Sequence, residues 1–313
     1  MKTIRSFLRR WWPLWDVLIA GCILCFFALF HHVIPVSYEQ PLAVAPPPTD
    51  GNDAVLTPME QLFEEQTRME PVLTENSYQS ENILVKITTH TMGEGNDLIT
   101  YHVADVYVRS MKYLRSAFAK DTYGRGYTDE LLNIAKQNNA ILAVSGDYYS
   151  WNNSGPVIRN GVLYRDKKGT ADVCALYTNG EMKVFSGRAF DAKTEMENGI
   201  WQAWCFCPSL LTADGKAATT FNSTLTTKHP RCAIGYYEPG HYVFVLVDGR
   251  QEGDSVGMTL AELAALFESL GCRSAYNLDG GRSAQMAFNN EIVNNPYLDG
   301  RVVSDIIFLG EVQ

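Results

Sequence analysis

Apolar positions fall into two regimes along the chain. From Ile83 onward they come in short runs bounded by Gly, Asn, Asp and Pro. Ile83–Ile87 and Ile99–Val108 are rich in β-branched and aromatic residues and read as strands. Thr128 precedes a helical pattern through Leu131, Leu132 and Ala135 that ends at Asn138-Asn139. Ile141–Val144 then reads as a buried strand stopping at Ser145-Gly146-Asp147. Asn160-Gly161 and Asn179-Gly180 each separate two strand-like runs, and both predict type I′ hairpin turns. Tyr242–Val247 is almost continuously apolar. Thr259 and Glu262 form a capping box ahead of Leu260, Leu263, Ala264, Phe267 and Leu270, and Gly271 closes that helix. A Tyr276–Leu278 strand, a hairpin at Asn289-Asn290 and a last strand Asp305–Leu309 follow. Many short strands and few helices predict one α+β domain over 81–313, with a mixed or antiparallel sheet.

The N-terminal part is patterned differently. Lys2, Arg5, Arg9 and Arg10 precede an uncharged run from Val17 to Phe30. The pattern predicts a basic cytoplasmic tail (1–13) and a membrane-spanning signal anchor (14–36), because about 20 apolar residues cross a bilayer and flanking cations stay inside. A cleaved signal peptide is the rival, with Leu42-Ala43-Val44-Ala45 in the form of a cleavage site, although it lies far beyond the apolar core. Either reading puts the C-terminal domain outside the cytoplasm, and the anchor makes it a single-pass membrane protein. Residues 37–80 carry six prolines among acidic residues and read as an extended linker, with a short acidic helix at Met59–Met69.

Charge narrows the partners. Setting aside the four N-terminal cations and Asp16 leaves 22 basic and 34 acidic side chains, a net charge of −12. Nucleic acid needs a basic footprint and is excluded as a partner. A polyanionic substrate would have to be met by locally clustered arginines. Five of the seven cysteines lie beyond the N-terminal segment, an odd number, so at least one has no partner within the chain. A bridge from Cys205 or Cys207 to Cys232 is one option that spacing leaves open.

The chemistry concentrates where strands stop. Three strand-like runs end in Gly146-Asp147, Asp248-Gly249-Arg250 and Asp279-Gly280-Gly281-Arg282-Ser283. Asn277 precedes the third, Arg231 opens another run, and Arg301 leads into Asp305. Rigid strand ends are where loops carry function. Arginine grips phosphate bidentately, and carboxylates supply proton transfer or a nucleophile at a sugar carbon. Asp248 and Asp279 are the candidate catalytic acids. Asp147, Arg231, Arg250, Asn277, Gly280, Gly281, Arg282, Ser283 and Asp305 are the candidate substrate and phosphate contacts. Three of these have a structural alternative: Asp147 as a turn cap, Arg231 in a salt bridge, Asp305 paired with Arg301. His229 is a weaker acid–base candidate. No zinc spacing, G-x-S-x-G elbow or P-loop is present. No cofactor is expected, although strand-end aspartates could hold Ca²⁺ or Mg²⁺.

Six segments carry a family resemblance: 145–149, 155–161, 229–235, 247–250, 277–283 and 301–305. Their residues and order resemble the phosphodiester glycosidase domain family, which includes an N-acetylglucosamine-1-phosphodiester α-N-acetylglucosaminidase and bacterial exopolysaccharide-biosynthesis proteins. The resemblance implies hydrolysis of a sugar-1-phosphodiester in an envelope or exopolysaccharide glycan. It also implies that Asp248 and Asp279 do acid–base or nucleophilic work while Arg231, Arg250 and Arg282 hold phosphate. The family usually has Asn where this chain has Ser145, and often a small residue where it has Arg282. A non-catalytic glycan-binding or polysaccharide-assembly module, with Tyr148, Tyr149 and Trp151 stacking on sugar rings, is the competing class.

Overall fold

The computed structural model describes residues 2–29, 34–38, 41–45 and 70–312. Every pairing between described strands is antiparallel. The largest sheet has seven strands, in the order Ser274–Leu278, Arg231–Glu238, His241–Val247, Ile99–Val108, Ile83–Met92, Ser77–Gln79, Val72–Leu73. A six-stranded sheet is centred on Ile200–Trp204, and a five-stranded sheet on Leu142–Ser145 and Asp305–Leu309. Alternation assigns the faces of the large sheet. One set, including Val85, Val106, Ile234, Phe244 and Tyr276, packs into the main core with Leu142, Val144, Leu176, Trp204 and Ile307 from the other sheets. The opposite set, Ala233, Val243, Val245 and Ala275, packs under the Leu260–Ser269 helix. The Leu131–Gln137 helix covers the five-stranded sheet through Ile134 and Ala135.

Local chemistry explains most boundaries. The Thr259–Glu262 capping box forms in both directions. Asn160 and Gly161 take φ of 52° and 74°, as a type I′ turn requires. Asn179-Gly180 differs: of the two only Gly180 has positive φ, and the amide of Tyr177 donates to the carbonyl of Glu181, so the connection is a longer turn. The helix expected from Thr128 begins at Leu131, because Asp129 joins a bridge to Val303 and holds the chain extended there. All seven cysteines are free thiols, and the bridge to Cys232 is not formed.

The N-terminal anchor is not supported by the described helix. The segment is helical over Lys2–Ala28, but among the described residues no helix is long and apolar enough to cross a membrane. Residues 30–33, within the expected span, lie outside the described set, as does the proposed helix at Met59–Met69. Within the stretch read as linker, Ala43–Val44 adds an edge strand to the six-stranded sheet. Val36–Ser37 pairs with Gly124–Arg125, and Val72–Leu73 and Ser77–Gln79 extend the large sheet.

Candidate functional site

Antiparallel pairing brings distant segments to one sheet edge. Cys232 is opposite both Leu246 and Leu278, and Arg231 is opposite Val247. The ends of the His241–Val247 and Ser274–Leu278 strands therefore lie beside the start of Arg231–Glu238. The five-stranded sheet delivers Gly146-Asp147 to the same place. The amide of Asp279 donates to the carbonyl of Gly146 at 3.1 Å, and Ser145 Oγ donates to the carbonyl of Asp279 at 3.1 Å. Two glycines make this contact feasible. A Cβ on Gly280 would stand 2.7 Å from the carbonyl oxygen of Pro230, and one on Gly146 would stand 2.5 Å from Asp305 Oδ1.

Two adjoining cavities of about 260 Å³ each open on this junction, and Asp279 and Arg301 line both. The first is cationic: Arg231, Arg250, Arg282 and Arg301 line it together with His229, Asn277 and the two glycines. The second is lined by Tyr148, Trp151, Thr128 and Val302, with Asp147 at its base. Arg301 lies over the Tyr148 ring at 5.3 Å, and Tyr148 stacks near Trp151.

The four guanidinium groups are held alike. Arg231 Nε donates to the carbonyl of Met258 (3.0 Å) and Nη2 to that of Thr227 (3.1 Å). Arg250 directs Nε and Nη2 at His229 Nδ1. Arg282 Nε and Nη2 donate to the carbonyl of Gly300. Arg301 Nε donates to Ser283 Oγ at 2.5 Å and Nη2 to Asp279 at 3.0 Å. In each, Nη1 makes no hydrogen bond among the described residues. Burial and the neighbouring Arg250 lower the Arg231 pKa to about 10. His229 is also lowered, by burial and by Arg250 and Arg231, so its imidazole is neutral at neutral pH. Its Nδ1 accepts from Arg250, which places the ring proton on Nε2 facing Thr227 Oγ1 at 3.0 Å.

Asp279 is the one carboxylate common to both cavities. Burial raises its pKa, against the lowering effect of Ser283 and Arg301. The result is a carboxylate of enhanced basicity held between a hydroxyl and a guanidinium. Asn277 donates to the carbonyl of Cys207 at 2.9 Å, and its Oδ1 is buried with no partner.

Asp147 and Asp305 belong to a buried triad centred on Arg159. Nε of Arg159 donates to Asp305 Oδ2 at 2.8 Å, and Nη2 lies 2.8 Å from Asp147 Oδ1, at ion-pair distance but without a well-directed N–H. Arg159 Nη1 is bonded to the carbonyls of Ile158 and Ala203. Burial works against the Arg159 charge, but the two aspartates outweigh it and hold its pKa above the ordinary arginine range. Asp147 also accepts from the amides of Tyr149 (3.0 Å) and Cys205 (2.8 Å), so it caps the turn as well. Asp305 pairs with Arg159 and not with Arg301, whose partner is Asp279. Arg231 forms no ion pair among the described residues.

Asp248 lines neither cavity. Its carboxylate accepts from Asn294 Nδ2 (2.8 Å) and the amide of Asn295 (3.2 Å), with His102 Nε2 at 3.3 Å. Among the described residues no group of three or more His, Cys, Asp or Glu is placed to hold a metal ion. Both Asp147 oxygens and Asp305 Oδ2 are instead committed to Arg159 and to backbone amides, and Asp305 Oδ1 has no hydrogen-bond partner. Sequence reasoning passed over Arg159 as a site residue and treated Arg301 only as a partner for Asp305. The signal for Arg159 was its place immediately before an Asn-Gly turn, a buried cation at a strand end.

Residues 138–309 match the model of the phosphodiester glycosidase family. The chain belongs to the phosphodiester glycosidase family. A Bacillus subtilis (strain 168) relative, the SPbeta prophage-derived uncharacterized protein YomE, is 31% identical over 226 residues, which cover 69% of this chain and 34% of that protein. The chain thus spans about a third of the length of this curated relative. Among solved structures, the zebrafish N-acetylglucosamine-1-phosphodiester alpha-N-acetylglucosaminidase catalytic domain, auto-inhibited by its pro-peptide, superposes with a TM-score of 0.60 at 17% identity. That match covers 88% of this chain and 100% of the zebrafish chain. A hypothetical protein from Synechocystis superposes with a TM-score of 0.56 at 15% identity, over 73% of this chain and 62% of its own. At these identities the two structures establish a shared fold. The glycosidase-family match and the arginine-lined cleft lie in the same part of the chain.

Proposed function

We propose that this protein hydrolyses a sugar-1-phosphodiester in a glycan, cleaving the bond between the anomeric carbon and the phosphate oxygen. The observation that carries the reading is the junction itself: one basic carboxylate, Asp279, between an aromatic cavity and a cavity lined by four arginines. The sugar ring rests against Tyr148 and Trp151, and the phosphate faces the arginines. Asp279 accepts a proton from the attacking water. Arg301, bonded to Asp279 and Ser283, fixes the direction of the carboxylate. As the C1–O bond breaks, the phosphate charge rises from one to two. Guanidinium groups already anchored through Nε and Nη2 meet that charge without reorganising, so they favour the transition state over the ground state. A phosphate leaving group is weakly basic and needs no dedicated acid, which fits a cleft with one open carboxylate. The likeness to the zebrafish enzyme suggests N-acetylglucosamine as the sugar to try first.

The test is release of sugar from a synthetic N-acetylglucosamine-1-phosphodiester. Asp279→Asn should lower kcat by about 10²–10⁴-fold, the usual contribution of a positioned base. Full activity in a folded Asp279→Asn protein would remove the assignment. Binding without cleavage by the unaltered protein would instead favour a glycan-binding module.

A further inference from the structure

We infer that the cationic cavity is built for a glycosyl ester with two adjacent phosphates, a diphosphate, rather than for a single phosphodiester. The inference rests on the hydrolase reading above and specifies its substrate class. Arg301 is balanced by Asp279 at 3.0 Å, but Arg231, Arg250 and Arg282 have no carboxylate partner among the described residues. A phosphodiester carries one negative charge against these three cations, two of which, Arg250 and Arg282, are exposed to solvent at the open side of the cavity. Arg231 is only 3% exposed, and a buried cation without a counter-ion is costly. The donor count agrees with the charge. Each of the four guanidiniums has Nη1 free of any described partner. Four such nitrogens carry two N–H donors each, more than the roughly four lone-pair sites on the two non-bridging oxygens of one diester, and a diphosphate diester doubles those sites. Nor do the anchors neutralise these groups, because the carbonyls that hold Arg231 and Arg282 and the neutral His229 ring that holds Arg250 supply dipoles and not charge.

The cavity arrangement orders the two phosphates. Arg301 and Asp279 border both cavities, so the phosphate on the anomeric carbon sits there. Arg231 and Arg250 line only the cationic cavity and hold the second phosphate. In the reaction, the hydroxyl of water bonds to C1 and the C1–O pair departs with the diphosphate. The released proton passes to Asp279 and on to solvent. The leaving group goes from two negative charges to three.

Two matched probes test this: N-acetylglucosaminyl 1-(methyl phosphate) and N-acetylglucosaminyl 1-(methyl diphosphate), each assayed for sugar release. The expected result is a kcat/KM at least about tenfold higher for the diphosphate, the scale of one added charge-assisted hydrogen bond. Arg250→Ala, checked for an unchanged melting profile, should lower both rates and shrink the ratio toward one. Equal or better hydrolysis of the monophosphate probe by the unaltered protein would overturn the diphosphate inference while the hydrolase reading stands. Hydrolysis of neither probe would overturn both.

Discussion

Arg159→Met removes the centre of the buried triad and keeps most of its volume. Both ion pairs at 2.8 Å are lost, along with the bonds to the carbonyls of Ile158 and Ala203. The two aspartates then fare differently. Asp147 retains the amides of Tyr149 and Cys205. Asp305 is fully buried, its Oδ1 has no partner, and its other oxygen loses Arg159. Breaking a buried pair in this way costs about 3–5 kcal/mol. For a domain of this size that is a fall in Tm of roughly 6–20 °C. The pH dependence follows from the direction of the Asp305 shift. Burial, opposed by Arg159, raises its pKa to about 7, above the unfolded value of about 3.9. Between those values the folded state binds more protons than the unfolded state, so this group makes the protein less stable as pH rises, by up to about 1.4 kcal/mol per pH unit. Without Arg159 the folded pKa moves higher still and the penalty keeps growing above pH 7. Thermal melts of both proteins at pH 5.5 and 8.5 should therefore show a larger gap at pH 8.5. The double variant Arg159→Met/Asp305→Asn should recover part of it, because no buried carboxylate is left unpaired. A single variant within about 1 kcal/mol of the unaltered protein at pH 8.5 would refute the reasoning.

Three further outcomes follow from the site. Gly280→Ala drives a Cβ to 2.7 Å from the Pro230 carbonyl, so it should cost about 1–3 kcal/mol in melts and weaken phosphate binding by separating Asp279 from Arg231. Asp248→Ala strips the acceptor from Asn294, Asn295 and His102, and should cost about 2–4 kcal/mol while the folded protein keeps its kcat; a folded variant with kcat lowered a hundredfold would return Asp248 to the chemistry. Trp151→Ala, at a side chain 61% exposed, should raise KM for a sugar phosphodiester several-fold, on the order of 1 kcal/mol, and leave stability unchanged.

The sequence made the strand ends legible because local rules govern them. The Thr259–Glu262 box, the Asn160-Gly161 turn and the Ile99–Val108 and Asp305–Leu309 strands depend on residues close in the chain, and each formed where expected. The convergence of Arg231, Arg250, Asp279 and Arg282 was readable for a related reason: each adjoins an apolar strand, and antiparallel pairing aligns those strands at one edge. What the sequence could not supply was the partner of each charge. Asp248-Gly249-Arg250 and Asp279-Gly280-Gly281-Arg282 look equivalent as text. Only the Asn294-Asn295 turn, far along the chain, takes the Asp248 carboxylate out of the cleft. Likewise Arg301, four residues from Asp305, reaches Asp279, and Asp305 takes Arg159 from another sheet. The anchor lacks support for a different reason. Among the described residues no helix is long and apolar enough to cross a membrane, and residues 30–33 of the expected span lie outside them.

In the reaction proposed for this protein, water attacks the sugar and not the phosphorus. Hydrolysis of an N-acetylglucosamine-1-phosphodiester in ¹⁸O-labelled water, read by mass spectrometry of both products, tests it most directly. One label is expected in the sugar hydroxyl at C1 and none in the phosphate, with turnover lost in Asp279→Asn. Label in the phosphate would mean P–O cleavage and would rule out attack at the anomeric carbon.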